Sequence, residues 1–411
     1  MWKFILLVFL FAGNAFSQNH AYLIEADYLA WFIKKNPLSV PLVTFASYDD
    51  AIPGAIGQPH TRVLLGKEDV RMGWMQGFEL KGAAWINQKI GLEAAYFLLP
   101  NVREKRLAKT SGQPGSPNLA VPIFDVTGVF GLNGVPGETI FVLPGPISDT
   151  PFFSGVFNIN LSSQFQGAEF NGFYALKTQP RYVFEWLWGL RWFQLEESLK
   201  FSVNTTIVPN SSDPYNSSHF IDRFQTSNNF VASQVGLKGQ FNLGRWRLEG
   251  VVKGALGTSI EKVKIRGSSK TITGTVWFIT SGSGNETLSG GIFAQPSNIG
   301  VRRKTPFAYA VEARVNNVLE ITKNWSIDIG YTFFWISKVL RPGNQIDRNI
   351  NSTRTALADD SRATTGTGSG PIPFGNPSSA PASEGKTAPK ALFEQSSFWA
   401  QGLNIGIRLN F

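Results

Sequence analysis

From about residue 21 to its end, the chain repeatedly alternates apolar and polar side chains one by one. The last stretch is the clearest. Leu403, Ile405, Ile407, Leu409 and Phe411 fall on one face, and Asn404, Gly406, Arg408 and Asn410 on the other. Only a strand turns a period of two into two chemically distinct faces. Ten segments carry the pattern, at roughly 21–33, 70–85, 89–99, 164–177, 181–195, 219–241, 245–260, 305–320, 323–337 and 397–411. In 181–195 one face is Tyr182, Phe184, Trp186, Trp188, Leu190 and Trp192; in 323–337 it is Trp325, Ile327, Ile329, Tyr331, Phe333 and Trp335. The links alternate too. Tight turns stand around Asn87, Gln179-Pro180, Asn242-Leu243-Gly244 and Thr322-Lys323-Asn324, and long loops at about 34–69, 100–163, 196–218, 261–304 and 338–396.

After residue 17, no segment approaches the ~18 continuous apolar residues of a spanning helix, whereas most of the ten reach the ~9–11 with which a tilted strand crosses a bilayer. A chain that crosses with strands must close them into a barrel. The pattern therefore predicts an all-β fold: a transmembrane antiparallel up-and-down β-barrel of about ten strands. Extra hairpins in 100–163 (Phe152 to Leu161) or 271–280 would raise the count to twelve. Strict alternation of link length predicts short periplasmic turns, long extracellular loops and both termini on the periplasmic side. Tyr182, Trp246 and Trp325 beside short turns, and Trp192, Trp335 and Trp399 beside long loops, match the two aromatic girdles of such barrels. A soluble β-sandwich also buries alternating faces, but would not be expected to carry this much aromatic surface on every strand.

The start explains how the chain would reach a membrane. Met1-Trp2-Lys3, the apolar run Phe4 to Ala12 and the small-residue site Ala15-Phe16-Ser17 predict a cleaved signal peptide over 1–17, leaving 18–411 as a single outer-membrane barrel domain. The closing strand, with Leu403, Ile405, Ile407, Leu409 and Phe411 on one face, is expected to be the signal read by the barrel-assembly machinery.

Composition agrees with this reading. Charged residues are 16%, aromatics 13%, glycines number 41 and cysteine is absent. Mean hydropathy is near zero, as expected when lipid-facing and lumen-facing residues alternate. The formal charge is +9, yet no dense Lys/Arg cluster is interleaved with aromatics, which argues against nucleic acid. Arg302-Arg303-Lys304 and Arg103-Glu104-Lys105-Arg106 lie in expected loops and suit anionic lipid headgroups, surface polysaccharide or plain solvent. The expected partners are outer-membrane lipid, the assembly machinery, and a surface polysaccharide or small solute. The stretch near 360–390 is low-complexity loop.

The inward faces hold the charge. By parity they receive Glu25, Asp27, Glu79, Glu93, Glu169, Glu185, Glu249, Glu312, Glu320 and Asp328, and also Arg71, Lys81, Arg181, Arg191, Lys238, Arg247, Lys253, Arg314 and Arg408. Unpaired charges are costly in a small lumen, so near-neutral balance predicts a cross-lumen salt-bridge network and a narrow or closed pore. The other reading of these residues is an ion-selective lining.

Catalytic chemistry has little to stand on. Outer-membrane proteases of the omptin type place acids and a histidine near the external rim; here Asp49, Asp50, His60, His219 and Asp222 would have to meet there, and no spacing links them. No metal cluster of usable spacing exists, and Asp347 and Asp359-Asp360 lack the alternating oxygen ligands of a calcium loop. No enzyme, metal or cofactor is expected.

Several blocks resemble the putative beta-barrel porin-7 family. They are Glu25-Ala26-Asp27-Tyr28-Leu29 with Trp31-Phe32, Gly189-Leu190-Arg191-Trp192, Phe224 to Phe230 with Gly236-Leu237-Lys238-Gly239, Gly290 to Gly300, Gly330-Tyr331-Thr332-Phe333, Arg341 to Arg348, and Phe398 to Leu403. The more specific are Phe293-Ala294-Gln295-Pro296-Ser297-Asn298-Ile299-Gly300 and Arg341-Pro342-Gly343-Asn344-Gln345-Ile346-Asp347-Arg348, whose Gly, Pro and Asn content reads as turn geometry. The resemblance implies an integral, porin-like outer-membrane barrel without an assigned substrate. The expected function is a narrow passive pathway for ions or small solutes with a charge-balanced lumen. The alternative is a structural or surface-binding barrel (adhesin, receptor or anchor) with a closed lumen.

Overall fold

A computed structural model describes residues 22–128, 135–147, 150–208, 217–272, 274–276, 279–281, 287–356, 363–364 and 387–411. The expected signal peptide and most of the low-complexity stretch lie outside them. Ten long strands dominate: β1 (Tyr22–Ile33), β2 (Trp74–Trp85), β3 (Ile90–Thr110), β4 (Thr150–Gln179), β5 (Tyr182–Ile207), β6 (Ser217–Leu243), β7 (Trp246–Ile272), β8 (Phe307–Glu320), β9 (Trp325–Leu340) and β10 (Gln395–Asn410). Each pairs antiparallel with the next, and β10 pairs with β1 from Leu23↔Asn410 to Ile33↔Ala400. The pairings make a barrel-like ring in which each long strand has a ladder partner on both sides over at least part of its length.

The total strand number is a correction. The described residues hold 21 strands, not ten or twelve, because the long loops carry short strands of their own. A five-stranded sheet combines Asn36–Ala46, Arg62–Val70, Asn118–Asp125, Gly137–Val142 and Asn349–Ile350. Gly274–Val276, Ile279–Ser281 and Ala363–Thr364 form another small sheet, and Gly145–Ile147, Thr287–Leu288 and Gly300–Lys304 add to the ring strands. Residues 152–161 form no separate hairpin; they are the first part of β4.

Strand length is the second correction. β4 has 30 residues, β5 has 26, and β6 and β7 have 27 each. At roughly 3.3 Å per residue β4 extends about 100 Å, far beyond what a bilayer needs. The expected loops 100–163, 196–218 and 261–304 are therefore largely strand. The alternation does not stop there; the two faces exchange character. On β5 the outward side chains run Phe184, Trp186, Trp188, Leu190 and Trp192, then Gln194, Glu196, Ser198, Lys200 and Asn204. The buried side chains run Glu185 and Arg191, then Phe193, Leu195, Leu199, Phe201 and Val203, with Glu197 among them. An apolar band thus rings the outside near the short turns, with Leu190, Leu256 and Ile329 each about 60% exposed. Toward the long loops the outside turns polar and the inside becomes the core.

That core joins ring and loops. Leu38, Leu42 and Val43 of the first loop, Val121, Ile123 and Phe141 of the second, Ile292, Phe293 and Ala294 of the fourth and Ile346 and Ile350 of the fifth belong to one buried cluster with Phe157, Leu199, Phe201 and Phe224 of the wall. Two ring strands are bulged at the boundary between the halves, β3 between Leu99 and Val102 and β9 between Ile336 and Val339. A bulge adds local twist and bends its strand.

Candidate functional site

The lumen at the short-turn end is lined by paired charges. Arg314 of β8 donates to Glu25 at 3.2 Å and also to Asp27 and Glu79. Lys81 meets Glu25 at 3.0 Å. Arg408 meets Glu249 at 2.7 Å, Asp328 at 3.0 Å and Glu25 at 3.2 Å, tying the closing strand to β7, β9 and β1. Across the lumen Arg191 pairs with Glu312 and Lys253 with Glu169, and Lys253 lies 3.5 Å from Glu312. Lys238 stands 3.5 Å from Glu185, and Glu93 accepts from the Asn171 amide at 3.2 Å. At the rim Arg247 bridges Glu249 at 2.8 Å and half-exposed Glu320 at 3.2 Å. Most partners come from different strands, so the contacts cross-link the ring.

Arg71 and Arg181 do not join them. Both are exposed; Arg71 lies in the loop before β2, and Arg181 in the tight turn after β4. Strict parity fails where a strand has already ended. Glu25, Asp27 and Asp328 do converge, with carboxylate oxygens within 4.8 Å of one another. Asp27 and Asp328 both stand opposite Gly406 in register, and a Cβ there would lie 2.0 Å from Asp27 Oδ1. The Arg314 and Arg408 guanidiniums supply countercharge at this cluster.

A cavity of about 140 Å³ remains among these charges, lined by Glu25, Lys81, Glu169, Arg191, Lys238, Glu249 and Arg408, with Phe97 also in its wall. Beyond Phe97 the lumen is filled by aromatic rings. Phe165 packs on Phe97, Phe398, Phe334 and Phe193 with centroids 5.0, 5.3, 5.4 and 5.8 Å away. Phe193 in turn stacks on Phe230 at 4.6 Å, and Trp31 lies 5.7 Å from Phe97. Seven of the ten ring strands contribute to this septum. It lies between the charged half and the loop-filled half.

Above the septum, loops are locked to the wall by polar groups that strand parity did not single out. Arg341 and Glu197 are both fully buried and paired at 3.0 Å. Glu197 also accepts from Ser163 at 2.8 Å and Asn36 at 3.1 Å, and Arg341 lies over the Phe398 ring. Asp222 accepts from the successive amides of Ile292, Phe293 and Ala294 at 2.9–3.2 Å. Gly291 makes that approach possible, since a Cβ on it would lie 2.1 Å from Asp222 Oδ1. Burial pushes the Asp222 carboxyl up to about 7, against the pull of these N–H donors. Asn228 exchanges two hydrogen bonds with the Leu340 backbone, at 2.7 and 2.9 Å. The blocks Phe293–Gly300 and Arg341–Arg348 are thus plug loops docked inside the wall. Gln295 holds its own turn through Gly291 O and takes the Ala356 amide.

The residues weighed for catalysis do not form one site. Asp50 accepts from the His60 ring at 2.9 Å and from Thr61 at 3.1 Å, stapling the first loop. His219 and Asp222 lie on opposite faces of β6 by parity, with Asp222 turned inward onto the plug. Asp347 caps its own turn and takes the Lys390 amide, while 359–360 lie outside the described residues. The five outward residues of the closing strand, Leu403 to Phe411, lie along its lipid-type face.

Among solved structures, the chain resembles the outer membrane protease OmpT from Escherichia coli at 10% identity, covering 97% of this chain and 99% of that one, with a TM-score of 0.40. It resembles a Pseudomonas aeruginosa FadL homologue at 9% identity, covering 95% and 90%, with a TM-score of 0.21. For the Pseudomonas putida toluene transporter TodX the values are 7%, 95% and 89%, with a TM-score of 0.20. Scores this low carry no argument about shape or activity. No curated protein sequence matches the chain. The profile described as Putative beta barrel porin-7 matches residues 23–411, nearly the whole chain, and the protein belongs to that family of porin-type outer-membrane β-barrels, which is not a family of enzymes.

Proposed function

We propose that this protein is an outer-membrane barrel with a lumen closed at rest, acting through the end that carries its long loops. The observation that carries the reading is the septum of Trp31, Phe97, Phe165, Phe193, Phe230, Phe334 and Phe398, backed by loops docked on Glu197 and Asp222. In this reading the short turns face the periplasm, the long loops face outward, residues 1–17 are removed on export, and the outward row from Leu403 to Phe411 is the assembly signal. The paired charges of the lower lumen serve as cross-strand ties.

The test is planar-bilayer conductance of purified protein. The wild type should be silent. Phe165→Ala with Phe334→Ala should open steps in current, at a stability cost of about 3–5 kcal/mol for each ring removed. Clear, ion-selective steps from the wild type would sink the closed-lumen reading. They would favour a narrow passive pathway for ions or small solutes, for which the charged cavity of about 140 Å³ speaks. Charge reversal at Arg191, Arg247 or Glu249 should then shift selectivity; in a structural network it should lower stability alone.

A further inference from the structure

We infer that the outer wall of β5, β6 and β7, just beyond the apolar band on the long-loop side, docks an extended anionic glycolipid headgroup of the adjoining leaflet. The wall here places like charges directly opposite one another. Lys200 pairs in register with Arg223, and Arg223 with Arg266. Lys262 stands opposite Arg303 of the short strand Gly300–Lys304. Like charges facing across strands are destabilising unless something anionic lies between them. None of these five cations meets a described acid within ion-pair distance, whereas the lumen cations are nearly all paired. His219, in register with Lys270, feels the same field: burial, then Lys200 and Lys270, push its pKa down.

The height of the cations selects the ligand. Ile260, two positions before Lys262 on the same face, is still 44% exposed in the manner of a lipid-facing residue. Lys262 and Arg303 therefore sit at headgroup level. Arg266 follows four residues later, roughly 13 Å farther along the strand. A phospholipid offers a single phosphate layer, which cannot reach both tiers. Between them lies a groove of about 330 Å³ lined by Ser162, Gln164, Ser198, Gln225, Lys262 and Lys264, with two acids also in its wall: Glu196, held by Gln194, and Glu197, buried and paired with Arg341. Hydroxyls and amides between two cationic tiers suit sugars that carry more than one anionic group.

The test uses purified protein in phosphatidylcholine nanodiscs, titrated with lipopolysaccharide, and reads retained lipid by native mass spectrometry. Lipopolysaccharide should be retained. Lys262→Gln with Arg303→Gln, and separately Arg223→Gln with Arg266→Gln, should each lower retention about thirtyfold, about fivefold for each of the two cations removed near an anionic surface. Arg71→Gln with Arg181→Gln, the same loss of charge elsewhere, should leave it unchanged. Heat-modifiable gel mobility reports that each variant is folded. Equal retention by both paired variants and the wild type would overturn the inference. So would phosphatidylglycerol retained as well as lipopolysaccharide, or displacement by inorganic phosphate alone.

Discussion

The two halves of the ring are built from the same strands with opposite chemistry. Near the short turns, β5 turns Trp186, Trp188 and Leu190 outward and Glu185 and Arg191 inward. Farther along the same strand, Glu196, Ser198 and Lys200 face outward and Leu199, Phe201 and Val203 inward. The backbone is indifferent to the change, because the ladder bonds and the period of two are the same in both. What differs is the solvent. Lipid takes an apolar exterior and leaves a confined interior where charges must pair; water takes a polar exterior and leaves apolar residues to be covered. Loops cover them. The halves are also held differently, the lower by ion pairs between wall strands and the upper by loop segments buried inside the wall.

That contrast can be broken at specific residues. The largest effect should come from Arg314→Leu, which leaves Glu25, Asp27 and Glu79 without a shared partner; unfolding by urea in lipid should report a loss of about 3–5 kcal/mol. Next, the two exteriors should respond oppositely to one added charge. Ile329→Arg in the apolar band should cost about 2–4 kcal/mol, while Thr206→Arg at the far end of β5 should stay within about 0.5 kcal/mol. Equal costs at the two positions would end the claim that lipid and water meet different halves. A separate effect is a pH slope from Asp222. Its carboxyl goes from an ordinary 3.8 to about 7 on folding, so the native plug binds the proton more tightly than the unfolded chain. Stability should then fall as pH rises from about 4 to about 7, a slope that Asp222→Asn removes; a thermal midpoint flat across that window in the wild type would refute it.

The lower half was legible because two signals coincide there. An outward run such as Ile327, Ile329 and Tyr331 and an inward acid such as Asp328 both mark the strand, and parity alone places Arg191, Lys253, Glu312, Arg314 and Arg408 in the lumen. Parity misplaced Arg71 and Arg181 because it says nothing about where a strand stops. The upper half was harder to read. Once polar residues appear on the outward face, the sequence looks like loop, although Phe193, Leu195, Glu197 and Leu199 continue the inward phase of Arg191 without a break. Following that phase past Trp192 reaches Phe193 and Glu197. No pattern in the sequence pairs Glu197 with Arg341, which lies 144 residues away.

The sequence by itself determined the strands, their alternating faces, the order of short and long links and the balance of charge turned inward, because each follows from local periodicity. The tertiary structure alone decided which charges meet, where the ring outgrows the apolar band, and that aromatic rings from seven strands pack together inside it. Those outcomes depend on register and on loops folding back into the ring. Contacts between residues far apart in the chain leave no periodic trace along it.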